Sequence, residues 1–212
     1  MTHAVWRGRC AYRTALEEQR RHREAIIRGD AADVVWALEH DPVITTGRRE
    51  VPDLPEASWL KARGVDVCAT KRGGLATYHG PGQLVVYYLL DVRPRGGVRN
   101  LVCSIESGVL AWLQARGVDA HLSERGRGVW VHDRKICAVG LHVRRGVTMH
   151  GMALNLCPDL TAYSWFSPCG FERGSATSLC EEQGESPPPS TVWEDVVGRT
   201  LKGAVDIQDL ER

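Results

Sequence analysis

Lysine is scarce in this chain. Four lysines, at positions 61, 71, 135 and 202, stand beside 23 arginines, so a lysine inside a motif carries unusual weight. Charge of one sign is also lacking: 27 Lys+Arg against 26 Asp+Glu leave a net +1. That balance lacks the basic footprint of non-specific nucleic-acid binding, and no nucleic-acid partner is expected. No apolar run is long. Leu84 to Leu90 is seven residues, where a membrane helix needs roughly 18, so no membrane span is expected. The first residues, MTHAVWRGRC, hold no apolar signal core, and Glu17, Glu18 and Glu24 do not suit an acid-poor transit peptide, so export is not expected; the default location is cytoplasmic, with a mitochondrial one left open. There is no G-K-[ST] phosphate loop, no G-x-G-x-x-G opening a helix and no G-x-S-x-G elbow. The seven cysteines, at 10, 68, 103, 137, 157, 169 and 180, are odd in number and include no C-x-x-C pair. That pattern argues against a disulfide framework and a zinc site, and each is expected to be a free thiol.

What remains is an ordinary globular composition, 43% hydrophobic and 25% charged over 212 residues, which fits a single domain spanning 1–212. Apolar residues three and four apart predict helices over 11–28 and 99–116, with a short one over 55–63 stopped by Gly64. Strands are predicted at 34–38, 65–70, 83–91, 129–131, 136–142 and 149–156, with Arg144-Arg145-Gly146 as a hairpin turn. A last helix is expected from about Thr191, with Glu194 completing a capping box. Strands outnumber helices and the late ones are closely connected, so the fold class is α+β, with a mixed or antiparallel sheet.

Three places carry chemistry. In Ser167-Pro168-Cys169-Gly170-Phe171, proline and glycine make a tight turn that can present a thiol, and the amides of Gly170 and Phe171 could face one space, as an oxyanion requires. A thiol needs a nearby base or cation to become a nucleophile at neutral pH. Lys135, opening the strand Lys-Ile-Cys-Ala-Val-Gly, and His79 are the candidates by context. The third place is the glycine-rich stretch from Arg72 to Gln83, which lets backbone approach a ligand closely. His142 and His150 read as packing residues, not metal ligands, and no metal site or cofactor is expected.

Arg72-Gly-Gly-Leu-Ala-Thr-Tyr-His-Gly-Pro-Gly-Gln83, Lys135-Ile-Cys-Ala-Val-Gly-Leu141, His150-Gly-Met-Ala-Leu-Asn-Leu156 and Pro168-Cys-Gly170 together resemble the lipoyl(octanoyl) transferases. The likeness runs from about Glu39 to Leu179 with the blocks in order. It implies a mixed sheet flanked by helices, as in the catalytic domain of biotin and lipoate protein ligases. It also implies an acyl-accepting Cys169, an activating Lys135 and a pocket histidine, His79. Arg72, Gly73, Gly74, Leu75, Ala76, Thr77, Tyr78 and His79, then Ala138, Val139 and Gly140, then Gly151, Met152 and Ala153, match the segments that bind the acyl substrate. Two departures, Thr46 before Gly47-Arg48 and the bulky Trp165-Phe166, bear on acyl-chain length.

The resemblance implies transfer of an octanoyl group from octanoyl-acyl carrier protein, through a cysteine thioester, to a lysine of a lipoyl domain. Acceptors would be the lipoyl domains of 2-oxoacid dehydrogenase complexes and the glycine cleavage H protein. Amides of the Cys169 turn or of Gly73-Gly74 would stabilise the oxyanion, and Arg93, Arg95, Arg99, Arg144 and Arg145 are candidates for docking an acidic carrier. The rivals are an ATP-dependent lipoate or biotin ligase, for which Arg125-Gly126-Arg127-Gly128 would be a nucleotide loop, and a non-enzymatic lipoyl-domain or carrier-binding module.

Overall fold

The computed structural model describes residues 2–49, 51, 53–168, 171–201 and, as backbone, 207–211. Among the described residues, eleven strands and five α-helices follow in the order β1 (Thr2–Cys10), α1 (Tyr12–Arg28), β2 (Val34–His40), β3 (Val43–Thr46), α2 (Ala57–Lys61), β4 (Asp66–Ala69), β5 (Ala76–His79), β6 (Gln83–Leu89), α3 (Gly97–Gln114), β7 (Ala120–Ser123), β8 (Gly126–Val131), β9 (Arg134–Arg144), β10 (Val147–Asn155), α4 (Leu179–Gln183), α5 (Pro189–Leu201) and β11 (Ile207–Glu211). Eight strands form one sheet in the order β11-β1-β2-β6-β10-β9-β8-β7, and β4-β3-β5 form a second, smaller sheet. β1 runs parallel to β11 and β2, while β2, β6, β10, β9, β8 and β7 alternate in direction, so the large sheet is mixed.

Strand alternation sorts the side chains of the large sheet onto two faces. Leu84, Val86, Tyr88, Met152 and Leu154 pack with Leu101, Ile105, Val109 and Trp112 of α3 and Trp193, Val196 and Val197 of α5. Val85, Tyr87, Leu89 and Ala153 face the other way, against Tyr12, Ala15 and Leu16 of α1. The small sheet closes over a third cluster containing Ile44, Ala76, Tyr78, Tyr163 and Phe166. α1 starts without a side-chain cap but stops at Gly29, whose φ of 84° is the left-handed stop that glycine favours. No described helix is long and apolar enough to cross a membrane.

Several expectations are corrected. Cys157 and Cys180 form a disulfide with Cα atoms 5.2 Å apart. Their 23-residue separation gives no local motif. The Cys180 N–H donates to Leu156 O, which brings the end of β10 beside the start of α4, and the Cys157 N–H donates to Gly82 O before β6. The described free thiols are Cys10, Cys68, Cys103 and Cys137. Residues 126–128 are no nucleotide loop: they begin β8, paired to β7 and β9. Thr191 lies inside α5, its hydroxyl donating to Pro188 O, so no capping box opens that helix there. Ala76–His79, within the stretch read as glycine-rich loop, is a strand paired with β3.

Candidate active site

Lys135 is fixed through its backbone. Its N–H donates to Ser175 O at 2.8 Å and its carbonyl accepts from the Thr177 N–H at 3.0 Å, so the chain leaving the Pro168–Phe171 region runs along the start of β9. The half-buried side chain holds its ammonium 4.7 Å from the Trp130 ring centroid and 5.0 Å from that of Phe171, where ring faces attract a cation. Gly128 lets β8 approach β9 closely: a Cβ there would collide with the Cys137 carbonyl, while Lys135 Cδ would stay at an ordinary contact distance of 3.5 Å. Gly128 is held in turn by buried Glu106 of α3, which accepts from its N–H at 2.7 Å and from Arg127 Nη1 at 2.9 Å.

Thr77, Lys135, Ala138 and Ala153 line two adjoining cavities. One is walled by Pro168, Phe171, Tyr163, Asn155 and Ala176. The other extends along the large sheet under Arg72, Gly73 and Gly74 to Tyr12, Tyr87 and His150. Cys169 and Gly170 lie outside the described residues, but Pro168 and Phe171, on either side of them, border the space that Lys135 also borders. Of the expected acyl-binding set, Arg72, Gly73, Gly74, Thr77, His79, Ala138, Val139, Gly140, Gly151, Met152 and Ala153 line the extended cavity. Leu75, Ala76 and Tyr78 do not. Alternation along β5 turns Thr77 and His79 inward and sends Ala76 and Tyr78 into the small-sheet core, while the Leu75 carbonyl accepts from the Gly47 N–H. Thr46, Trp165 and Phe166 line neither cavity. Phe166 is buried under the small sheet and Trp165 meets Trp59 edge-on.

A buried polar relay ties these segments together. Arg72 Nη2 donates to Thr45 Oγ1 at 2.9 Å and to Thr45 O at 2.7 Å. His79 Nδ1 donates to Gln83 Oε1 at 2.7 Å, which fixes the tautomer and leaves Nε2 to accept from the Thr45 hydroxyl at 3.3 Å. Gln83 Nε2 donates to Asn155 Oδ1 at 2.8 Å, and Asn155 Nδ2 donates to Thr177 O, next to the bond that holds Lys135. Burial, with His40 beside it, pushes His79 well below the ordinary histidine range, so the ring is neutral. His79 was a candidate by context and by resemblance; Thr45, Glu106 and Tyr12 lie outside every motif that carries the resemblance, and Gln83 and Asn155 lie inside two of them without an assigned role.

Among the described thiols, burial raises Cys10 and Cys68 and pushes Cys137 up to about 12, so none of these three is a ready nucleophile at neutral pH. Cys103 is exposed on α3 and borders neither cavity. The Gly73 N–H is spent on Leu141 O and the Phe171 N–H on Pro168 O, so neither amide is open to an oxyanion in this conformation. Arg93 and Arg95 are engaged by Asp91 and Asp33, and Arg144 by Glu24. Among the described residues no group of three or more His, Cys, Asp or Glu is arranged to hold a metal ion.

This arrangement of a large mixed sheet flanked by helices, with a smaller three-stranded sheet and a cavity lined from both sheets, is the lipoate and biotin ligase fold. A lipoate-protein ligase A crystallised with ATP superposes with a TM-score of 0.73 at 17% identity, covering 100% of this chain and 90% of that one. A biotin protein ligase from Aquifex aeolicus superposes with a TM-score of 0.59 at 14% identity, covering 95% and 70%. The chain belongs to the Lipoyl protein ligase A/B catalytic domain family, whose profile matches residues 11–200. Its relatives include the zebrafish (Danio rerio) mitochondrial octanoyl-[acyl-carrier-protein]:protein N-octanoyltransferase LIPT2, 40% identical over 88% of this chain and 84% of that protein. The octanoyltransferases of Dictyoglomus thermophilum, 37% identical over 93% and 84%, and Methylococcus capsulatus, 44% identical over 72% and 72%, are also similar.

Proposed function

We propose that this protein is an octanoyltransferase that takes an octanoyl group from acyl carrier protein and delivers it, through a thioester on Cys169, to a lysine of a lipoyl domain. The observation that carries the reading is the shared cavity: Lys135 and both flanks of Cys169 border it, and it adjoins a second cavity whose lining includes Ala138, Gly140, Gly151 and Ala153. Relatives at 37–44% identity bear the octanoyltransferase name.

In this reading the Cys169 thiol gives its proton to the Lys135 amine, whose resulting ammonium sits against the Trp130 and Phe171 rings, and the thiolate adds to the thioester carbonyl. The carrier's thiol leaves, taking the proton back. The acceptor lysine then attacks the new thioester, Lys135 receives the amine proton and returns it to the departing Cys169 sulfur. His79, with both ring nitrogens engaged, acts as a positioning residue for the Arg72 segment. The acceptors are lipoyl domains of 2-oxoacid dehydrogenase complexes and the glycine cleavage H protein, and the setting is the cytoplasm.

Incubating the protein with octanoyl carrier protein and no ATP, followed by intact mass measurement, tests the reading. An octanoyl adduct is expected on the wild type and none on Cys169→Ala. A requirement for ATP, or wild-type turnover by Cys169→Ala, overturns it.

A further inference from the structure

The extended cavity is a lane of missing side chains. Ala138 pairs with Ala153 and Gly140 with Gly151 across β9 and β10, so the sheet offers only methyl groups and backbone over two successive rows. On the other flank of β10, Val85 stands beside Ala153 and Tyr87 beside Gly151, forming one wall. Lys135 marks one end, where the cavity joins the space bordered by Pro168 and Phe171. His150 stands toward the other end, with Tyr12 and Tyr87.

His150 occupies that position through a local violation of strand geometry. By alternation it should face away from the lane, because Met149 and Ala153 face α1. Instead its φ is 63°, in the left-handed region that non-glycine residues seldom enter. Its N–H leaves the sheet and donates to Oε1 of Gln19, a residue of α1 that is fully buried. The ring lies edge-on to Tyr87 at 6.4 Å and lines the cavity. Burial lowers its pKa to about 3, so the lane meets an uncharged ring. His150 Nδ1 has no hydrogen-bond partner, so the backbone and Gln19 set where the ring stands.

We propose that His150 is the end stop that sets acyl-chain length, held in place by Gln19; this rests on the octanoyltransferase reading above. The dimensions agree. Three residues of strand from Ala153 to His150 span about 10 Å, and an extended eight-carbon chain, with C–C bonds of about 1.5 Å in a zigzag, spans roughly 9 Å. A longer chain has to displace the ring, whose backbone is tied to α1.

The test uses the full chain with hexanoyl, octanoyl, decanoyl and dodecanoyl thioesters of pantetheine, reading formation of the acyl adduct by intact mass under single-turnover conditions. Wild type should load octanoyl fastest and fall off at decanoyl. His150→Gly removes the ring while keeping a residue at ease with positive φ, so folding should survive. It should raise the decanoyl-to-octanoyl rate ratio about tenfold, the scale expected when two more methylenes find apolar burial. His150→Asn, also tolerant of positive φ and shorter than histidine, provides a second variant if the glycine form folds poorly. Gln19→Leu, which frees the His150 N–H, should move the ratio the same way by a smaller factor. An unchanged ratio in folded His150 variants, or an equal loss for all four chains, overturns the end stop alone. Failure of the wild type to load any thioester overturns the transferase reading and the end stop with it.

Discussion

Gln83 is the joint between the histidine half of the site and the lysine half, and Gln83→Leu should separate them. The substitution strands two buried groups: the His79 Nδ1–H, now bonded to Gln83 Oε1 at 2.7 Å, and Asn155 Oδ1, now bonded to Gln83 Nε2 at 2.8 Å. Tyr78 O loses one donor but keeps the Tyr163 hydroxyl at 3.1 Å, so it adds little. An unsatisfied buried polar group costs about 1–3 kcal/mol, and leucine no longer has an amide to desolvate, so the net destabilisation should be about 2–4 kcal/mol. Tyr163→Phe removes only one hydroxyl from the same network and should cost about 1 kcal/mol. Urea unfolding measures both, with the midpoint shift at constant slope giving the difference. Asn155 also holds Thr177, whose N–H holds Lys135. Folded Gln83→Leu should therefore lose turnover by tenfold or more while the KM for a small octanoyl thioester changes little. A variant with the wild-type midpoint and full turnover would refute the relay as a structural and functional connection.

Lys135→Arg keeps a cation beside Trp130 and Phe171, but a guanidinium with a pKa above about 12 cannot take up the amine proton. Acyl-enzyme formation should persist in part and transfer to the acceptor should fail, and full turnover would eliminate the proton shuttle. The buried histidines should make the protein acid-sensitive. Burial lowers His40 to about 4 and His150 to about 3, and lowers His79 well below its ordinary range. The unfolded chain then binds protons first as pH falls below about 6.5, so stability should decline from there toward pH 4 by about 1.4 kcal/mol per pH unit for each such histidine, and a flat urea midpoint over that range would contradict it. Reducing the Cys157–Cys180 bridge opens a loop of 23 residues. That should cost about 3 kcal/mol and lower Tm by about 6–12 °C, and calorimetry with and without reductant checks it.

The sequence by itself determined the parts whose signal lies within a few residues. The apolar spacing of Tyr12, Ala15 and Leu16 specifies α1, and that of Leu101, Ile105, Val109 and Trp112 specifies α3. The β-branched and aromatic run from Gln83 specifies β6, and Arg144-Arg145-Gly146 specifies the β9–β10 hairpin, where Arg145 and Gly146 both have positive φ. Local context, not periodicity, raised Cys169, Lys135 and His79 as candidates, and the resemblance gave each its role.

Only the tertiary structure decided what depends on distant segments meeting. β1 had no readable pattern because its place is set by β2 and β11 on either side. The disulfide was invisible because β10 and α4 approach only after the intervening segment has folded back. Thr45, Gln83 and Asn155 form one relay although 110 positions separate the first from the last, since three strands from two sheets converge there. His150 shows the limit most directly. Its residue type and its place in a strand predict a side chain facing the α3 side. The buried amide of Gln19, 131 positions away, takes its N–H at a backbone angle that turns the ring into the cavity. A contact between α1 and β10 thus overrides the period-two rule of the strand: the N–H that leaves the sheet is satisfied by Gln19, which offsets the cost of one residue held at positive φ.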